Sequence, residues 1–391
     1  MRILHCLKDD KFMDGTIRIY ESDKRHSNEY VLVRRSPDNY SFRYLKSDKV
    51  KVIKPKTFLS MALDFDVVIL HSFVCLKNYY IAKIPNKCKV VWYAWGVDIY
   101  GGYHPIVPIK LYAEETLKYL ESNCSSKSPK NYSLNLLVRL SSIFERLWLK
   151  KAVRKVDYFS GVFPYEYDLI KLYHPYFKAK KVDFYYGDID FFIKDTVSND
   201  IEHGKVNVII GNSADPRNNH HDALTVLSKI GLPQGSKVIM PLSYAGSDTY
   251  VKWVKEYAES LFPGRVKTLL EYMPLHKYLD LTSHCKVAIF YHERQQASDN
   301  IFMQMMYGAK VYMSETSLAY QYLIKEGFVV FSLQSDAEIM FKDISDEDVM
   351  KNRRLLCDKY ASHTIIDRVV KISQQIEENI NADGLRNRCH N

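Results

Sequence analysis

From residue 206 onward, short apolar runs alternate with stretches of helical spacing. Val206–Ile210 is a compact run of strand type ending at Gly211, and His220–Ile230 follows with Ala223, Leu224, Leu227 and Ile230 on one helical face and a stop at Gly231. The alternation predicts further strands at Lys237–Met240, Val266–Leu269, Val287–Tyr291, Val311–Met313 and Phe328–Phe331, with helices at Asp248–Leu261, Pro274–His284, Asp299–Tyr307 and Ser317–Lys325 between them. Strands separated by helices of about ten residues are βαβ units and imply a parallel sheet covered on both faces. The first half has the same grammar. It predicts strands at Arg2–Leu7, Tyr30–Val33, Val67–His71, Lys89–Ala94 and Tyr158–Phe163, and a helix from Pro164 through Tyr173. The expected fold class is α/β, with two doubly wound, Rossmann-like domains facing a cleft. The expected division is 1–190, 191–345, a helical segment 346–378 and a frayed tail 379–391, with the Asp-, Asn- and Ser-rich stretch Gly187–Gly204 as linker. Ligands of such sheets bind at the carboxyl ends of the strands, so the loops that follow strands carry the candidate chemistry.

Composition narrows the class. Of 391 residues, 47% are hydrophobic, which is enough for real cores and excludes a disordered or low-complexity chain. The 55 basic residues exceed the 46 acidic ones by nine, a balance that suits an anionic partner: nucleic acid, a lipid surface or a phosphorylated small molecule. Cys6, Cys75, Cys88, Cys124, Cys285, Cys357 and Cys389 are scattered without a C-x-x-C pair, which argues against a disulfide framework or structural zinc and suits a reducing cytosol. No apolar run approaches the roughly 20 residues of a membrane span, and Lys8-Asp9-Asp10 interrupts the N-terminal run too early for a signal peptide.

Among the strand-end loops, Gly211-Asn212-Ser213-Ala214-Asp215-Pro216-Arg217-Asn218-Asn219-His220 combines a glycine for close approach, hydrogen-bonding side chains, a cation and the start of a helix. That suits a diphosphate, although a plain capped βα turn reads equally well. Glu293-Arg294-Gln295-Gln296-Ala297-Ser298-Asp299-Asn300 is a second candidate for phosphate and sugar contacts. Pro241-Leu242-Ser243-Tyr244 and Leu270-Glu271-Tyr272-Met273 follow strands as well. In the first half, Trp92–Gly102 surrounds Asp98 with two Trp, two Tyr and three Gly at a strand end. This is either a sugar-stacking site with a base of raised pKa or a buried aromatic cluster in which Asp98 caps a helix. His71 and Asp10 end neighbouring strands. Leu134–Val156 places Leu137, Leu140, Phe144, Leu147 and Trp148 on one stripe, with Arg139, Arg146, Lys150, Arg154 and Lys155 mostly off it. Such a helix rests on an anionic membrane or packs on its own domain. No metal-ligand spacing is present, so no metal site is expected.

The chain resembles the bacterial TDP-N-acetylfucosamine:lipid II N-acetylfucosaminyltransferases. The resemblance is carried by Trp95-Gly96-x-Asp98-x-Tyr100, by Gly161-Val162-Phe163 with Asp168-Leu169 and His174-Pro175, and by Gly211-Asn212-Ser213-x-Asp215-x-x-Asn218-x-His220. Pro241-x-x-Tyr244 and Phe290-x-x-x-Arg294-Gln295-Gln296 extend it, so that it runs from about Asp66 to Phe331. It implies a GT-B glycosyltransferase that moves a deoxy-amino sugar from a dTDP- or UDP-sugar to a polyprenyl-diphosphate-linked glycan, in common-antigen or O-antigen synthesis. The N-terminal domain would hold the acceptor through Trp95, Gly96 and Tyr100. The C-terminal domain would hold the donor through Gly211, Asn212, Ser213, Asp215, Arg217, Asn218, His220, Tyr244, Glu271, Tyr272, Met273, Arg294, Gln295 and Gln296. No cofactor, metal or nucleic acid is implied, and the expected location is the cytoplasmic face of the inner membrane, peripherally bound. Two departures fall on the acceptor side: a first loop reading Lys8-Asp9-Asp10-Lys11, and an insertion near 106–140. Asp98 is the first choice as general base, with His71 and Asp10 in reserve. Retaining enzymes of this fold carry two glutamates eight positions apart, and Glu293 would pair with Ile301, which favours inversion. A sugar-nucleotide epimerase of the same fold, or a non-catalytic nucleotide-sugar-binding assembly protein, is the alternative reading.

Overall fold

The computed structural model describes residues 1–101, 105–124, 132–187, 189–190 and 206–389. The chain divides into two compact units: Met1–Pro108 with Pro129–Asp188 and Ser362–Asn391, and Ile109–Ser128 with Ile189–Ala361.

The first unit is built on seven parallel strands, β1 (Arg2–Leu7), β2 (Ser27–Val33), β3 (Val50–Ile53), β4 (Val67–Leu70), β5 (Lys89–Tyr93), β6 (Tyr158–Ser160) and β7 (Lys180–Lys181), in the order β3-β2-β1-β4-β5-β6-β7. In register, His5 of β1 lies between Tyr30 of β2 and Ile69 of β4. The chain steps outward from β1 to β3, returns to the other side of β1 as β4, and steps outward again. The loops leaving β1 and β4 therefore diverge and open a crevice at their carboxyl ends. Val67–Leu70 is buried at every position, as a strand covered on both faces must be. The second unit repeats the plan with six parallel strands, β8 (Asn207–Ile210), β9 (Val238–Pro241), β10 (Val266–Leu269), β11 (Cys285–Phe290), β12 (Lys310–Met313) and β13 (Phe331–Ser332), ordered β10-β9-β8-β11-β12-β13. Here the reversal lies between β8 and β11.

The described elements differ from the expected ones in a few places. β3 and β7 were not expected; β7 is two exposed lysines, which carry no apolar signal. The strand from Tyr158 stops at Ser160, because the helix Tyr165–Tyr173 starts after Pro164. Of the expected insertion, Ile109–Ser128 belongs to the second unit. Its helix Glu114–Cys124 is fastened there by Asp222, whose carboxylate accepts from the Glu115 and Thr116 backbone N–H groups (2.9 and 3.1 Å). Ring stacking of Tyr119 on Trp253 adds to this (3.7 Å between centroids). The expected helical segment 346–378 consists of two helices, Asp346–Tyr360 in the second unit and Ser362–Cys389 in the first. The second continues through residues expected to fray, and Asp383 on it pairs with Lys89 at 2.7 Å. The expected linker lies outside the described residues except for Gly187, Ile189 and Asp190.

Helix Tyr132–Lys155 faces its sheet differently from the expected stripe. Ala152 and Val153 are buried, while Phe144 and Leu147 stay 52% and 60% exposed, and the spacing sets Lys150, Lys151 and Arg154 on the same outward face. The Lys150 and Arg154 head groups stand 5.2 and 4.9 Å from the Tyr176 ring, beyond the end of the helix that carries exposed Leu172 and Tyr173. Leu137, Arg139 and Leu140 lie outside the described side chains.

Candidate active site

The loops after β8 and β11 flank the reversal of the second sheet and are bonded to each other. Gly211 adopts φ +68°, and a Cβ there would sit 2.7 Å from Asn218 Oδ1, so the turn requires glycine. Asn218 is wholly buried and uses its entire amide. Oδ1 accepts from the Asn212 backbone N–H (3.0 Å) and from His292 Nε2–H (2.8 Å); Nδ2 donates to the carbonyls of Ser213 (3.1 Å) and Asp215 (2.9 Å). Asn219 bridges again, donating to the Tyr291 carbonyl at 2.8 Å and accepting from the Ala113 N–H at 2.9 Å. Gln296 Nε2 donates to Asn212 Oδ1 at 3.4 Å. The two loops anticipated from sequence thus form one polar rim.

The expected donor residues separate into those at the surface and those behind it. Asn212, Arg217, Tyr244 and Gln296 keep exposed area; Ser213, Asp215, Asn218 and His220 are buried and shape the loop from within. His220 Nδ1 pairs with the Tyr250 hydroxyl (3.0 Å), and burial pushes its pKa down to about 3. Arg217 is not an unengaged cation: its Nε and terminal nitrogen bond the Asp215 carboxylate. Arg294 is buried and donates to the Gln295 carbonyl at 2.7 Å. Helix Ser298–Met306 begins immediately after this loop, and Ala297 at its N-cap, φ +57°, supplies no side-chain cap. Tyr244 receives a hydrogen bond from Asn212 Nδ2 (3.1 Å) and so joins the rim. Glu271, Tyr272 and Met273 follow β10, the edge strand, away from the reversal. Ile301 is wholly buried in the core. His292 and Asp222 are not among the sequence candidates, and Asn219 stands in a candidate loop without a role, because their partners lie 74, 106 and 106 positions away.

In the first unit, Asp10, His71 and Asp98 follow β1, β4 and β5, three adjacent strands at the other reversal. Asp98 is 8% exposed and fully engaged. Its Oδ1 accepts from Ser72 Oγ at 2.5 Å, and its Oδ2 from Trp92 Nε1 (3.2 Å) and the Trp95 N–H (2.9 Å). Burial raises its pKa, and these donors oppose the rise without cancelling it. The carboxylate thereby ties the turn at Ser72, a residue held at φ +132°, to the start of helix Gly96–Tyr100. His71 is wholly buried. Its Nε2 pairs with His5 Nδ1 (3.1 Å) and its Nδ1 with the Tyr186 hydroxyl (3.2 Å), and burial followed by the neighbouring His5 pushes its pKa well below the usual imidazole range. Asp10 differs from both. Asp9 beside it is consumed by the Tyr40 hydroxyl and the N–H groups of Arg43, Tyr44 and Leu45, whereas Asp10 keeps accessible area and has Lys8 Nζ at 3.7 Å. Burial raises the Asp10 pKa despite Lys8 and Lys11. Trp95 stands in the same place: Lys8 Nζ lies 4.7 Å from its ring and Phe12 5.6 Å, edge-on. Gly96 and Tyr100, expected with it to meet the acceptor, are buried, Tyr100 because it falls on the inward side of its short helix.

Two parallel, doubly wound units, each with its polar loops at the reversal, define the GT-B class of glycosyltransferases. Solved structures of that class match nearly the whole chain. HepE from Anabaena, in complex with UDP, is 14% identical with a TM-score of 0.62 over 96% of this chain and 99% of its own. An α-glucosyltransferase in complex with UDP is 13% identical, TM-score 0.57, over 95% and 99%. Sucrose-phosphate synthase from Thermosynechococcus elongatus is 10% identical, TM-score 0.63, over 97% and 100%. Residues 159–357 match the 4-alpha-L-fucosyltransferase family, glycosyl transferase group 56, a stretch that contains both loops of the second unit. The chain belongs to that family and is a glycosyltransferase.

Proposed function

We propose that this enzyme transfers a deoxy-amino sugar of the N-acetylfucosamine type from a dTDP- or UDP-sugar to a polyprenyl-diphosphate-linked glycan, in the assembly of common antigen or O-antigen at the cytoplasmic face of the membrane. The observation that carries the donor half is the rim after β8 and β11, where Gln296 bonds Asn212 beside Gly211, and where the loop bearing Arg294 leads into a helix with no side-chain cap. Backbone N–H groups, a helix start and guanidinium groups are the elements that hold a diphosphate and stabilise its departure, so the transfer is proposed to be metal-independent. Ile301 in the core, where a retaining enzyme would carry its second glutamate, supports inversion.

In an inverting transfer the acceptor hydroxyl attacks the anomeric carbon, and the carbon–oxygen bond to the diphosphate breaks with its electrons leaving on phosphate oxygen. The hydroxyl proton passes to a base on the acceptor-binding unit. Asp10 suits that role better than Asp98 or His71, because its carboxylate is accessible, its pKa is raised by burial and its neighbours are Lys8 and Trp95. Trp95 offers an aromatic face for an acceptor sugar. The outward face of helix Tyr132–Lys155, apolar and basic together, supports membrane binding.

The test is incubation with dTDP- and UDP-activated 4-acetamido-4,6-dideoxygalactose, with and without a polyprenyl-diphosphate glycan, following nucleotide release and the anomeric configuration of the product by NMR. Nucleotide release that requires acceptor, with inverted product, is expected. Turnover of donor without acceptor would instead establish an epimerase, and binding without turnover an assembly protein.

A further inference from the structure

Directly after β11, His292 stands behind the diphosphate rim and has no part in the scheme above. Its ring is wholly buried. Asn218 turns its carbonyl oxygen toward the ring, because its amide nitrogen is spent on the Ser213 and Asp215 carbonyls. Nε2 of His292 therefore carries the hydrogen of the 2.8 Å bond. Nδ1 is then a bare lone pair, and it is buried with no hydrogen-bond partner among the described residues. A buried polar atom left unpaired is costly and calls for a reason. The charged and titratable groups that face the ring are Arg294 from its own loop and Arg217 and His220 from the loop after β8, while Asp215 is bound to Arg217. Burial first, and then the Arg294 and Arg217 guanidinium groups, hold the imidazole neutral. An anion is what the surroundings lack, and an anion is what the rim is built to receive.

We propose that His292 takes up a proton when a nucleotide-sugar diphosphate binds, so that the departing diphosphate is met by an imidazolium bonded to Asn218. The inference rests on the donor reading of the rim. A sugar diphosphate diester carries two negative charges near neutrality; when the glycosidic carbon–oxygen bond breaks, the electron pair adds a third. The proton on His292 stays on the ring through that step and offsets the added charge. The acceptor's proton leaves separately, to the base. His292 acts through Asn218, whose Oδ1 also takes the Asn212 N–H, and is a positioning residue.

The experiment is titration calorimetry of the full chain with UDP-glucose and with dTDP-glucose, each in two buffers of different ionisation heat. These diesters have no phosphate that titrates between about pH 6 and 8, so any buffer-dependent heat belongs to the protein. The expected result is net proton uptake that grows as the pH is lowered from about 8 to about 6, absent in His292→Gln, whose affinity falls several-fold at the acid end and little at the alkaline end. The ¹⁵N shifts of His292 in the unmodified enzyme, free and ligand-bound, report the same event without a variant: a neutral ring with Nε2–H should become doubly protonated. Binding with equal heats in both buffers would overturn the proposal. So would uptake that persists in His292→Gln, which would assign the proton to another group such as His220. Failure of both nucleotides to bind would overturn the donor reading, and this inference with it.

Discussion

Four groups on one carboxylate leave little for a substrate. The Ser72 hydroxyl, the Trp92 indole and the Trp95 and Phe73 backbone N–H groups all donate to Asp98, so an amide at that position would turn N–H toward N–H at one of them. Asp98→Asn is therefore expected to destabilise the enzyme by about 1–3 kcal/mol, seen as a lower thermal midpoint, with turnover of the remaining folded enzyme largely kept. Asp10→Asn should behave oppositely. Its midpoint and nucleotide affinity stay unchanged, while kcat falls by about 10²–10⁴-fold, the usual loss on removing a general base. A stable but inactive Asp98→Asn beside an active Asp10→Asn would return the role to Asp98. In the sequence Asp98 ranks first because it follows a strand, lies among rings and keeps its place in the motif that carries the family resemblance. That same crowding, seen in three dimensions, is what occupies its oxygens.

At the scale of elements, the outward face of helix Tyr132–Lys155 makes the sharpest forecast. Phe144 and Leu147 lie exposed among Lys150, Lys151 and Arg154, and each basic residue near an anionic bilayer contributes about 1 kcal/mol. The enzyme should sediment with phosphatidylglycerol vesicles, less so as salt rises and hardly at all with phosphatidylcholine. The double change Lys150→Glu, Lys151→Glu should abolish this, and Leu147→Ser should weaken it. Equal binding to neutral vesicles, or none to either, would leave the face without a membrane role. Periodicity announced this helix but not its orientation, since it carries apolar residues on two sides and only packing shows that Ala152 and Val153 are the buried ones. Five strands of the second unit were legible because each is a short, largely apolar run ended by a polar or glycine-bearing loop; the sixth, expected at Phe328–Phe331, pairs only at Phe331–Ser332. β7, two lysines held by pairing with Tyr158 and Phe159, has no such mark. The rim was legible as two loops. Its fastening was not, because hydrogen bonds over 74 and 106 positions leave no local pattern.

At the scale of the whole molecule, burial holds His5, His71, His220, His221 and His292 neutral, with pKa values near 4 for His5 and His221, about 3 for His220 and well below normal for the other two. The unfolded chain protonates them below about pH 6.5, so between there and the folded values it binds more protons than the native state, and stability falls as the pH drops. Each imidazole contributes a slope of about 1.4 kcal/mol per pH unit in that window and none above it. The raised carboxyls Asp10, Asp98 and Asp157 work in the other direction but are fewer. The urea midpoint should be flat above about pH 7.5, begin to decline by about pH 6.5 and fall steeply by about pH 5.5. A midpoint unchanged at the acid end would mean that the buried imidazoles are charged in the fold. The division of the chain has a consequence during synthesis as well. Ser362–Cys389 belongs to the first unit and Ile109–Ser128 to the second, so on the ribosome the N-terminal unit must wait, incomplete, until residues beyond 361 emerge, while everything assigned to the second unit has already been made. The half translated first is the half completed last, and a nascent chain carries its first sheet, finished at Lys181, without the helix that closes it until residues beyond 361 are made.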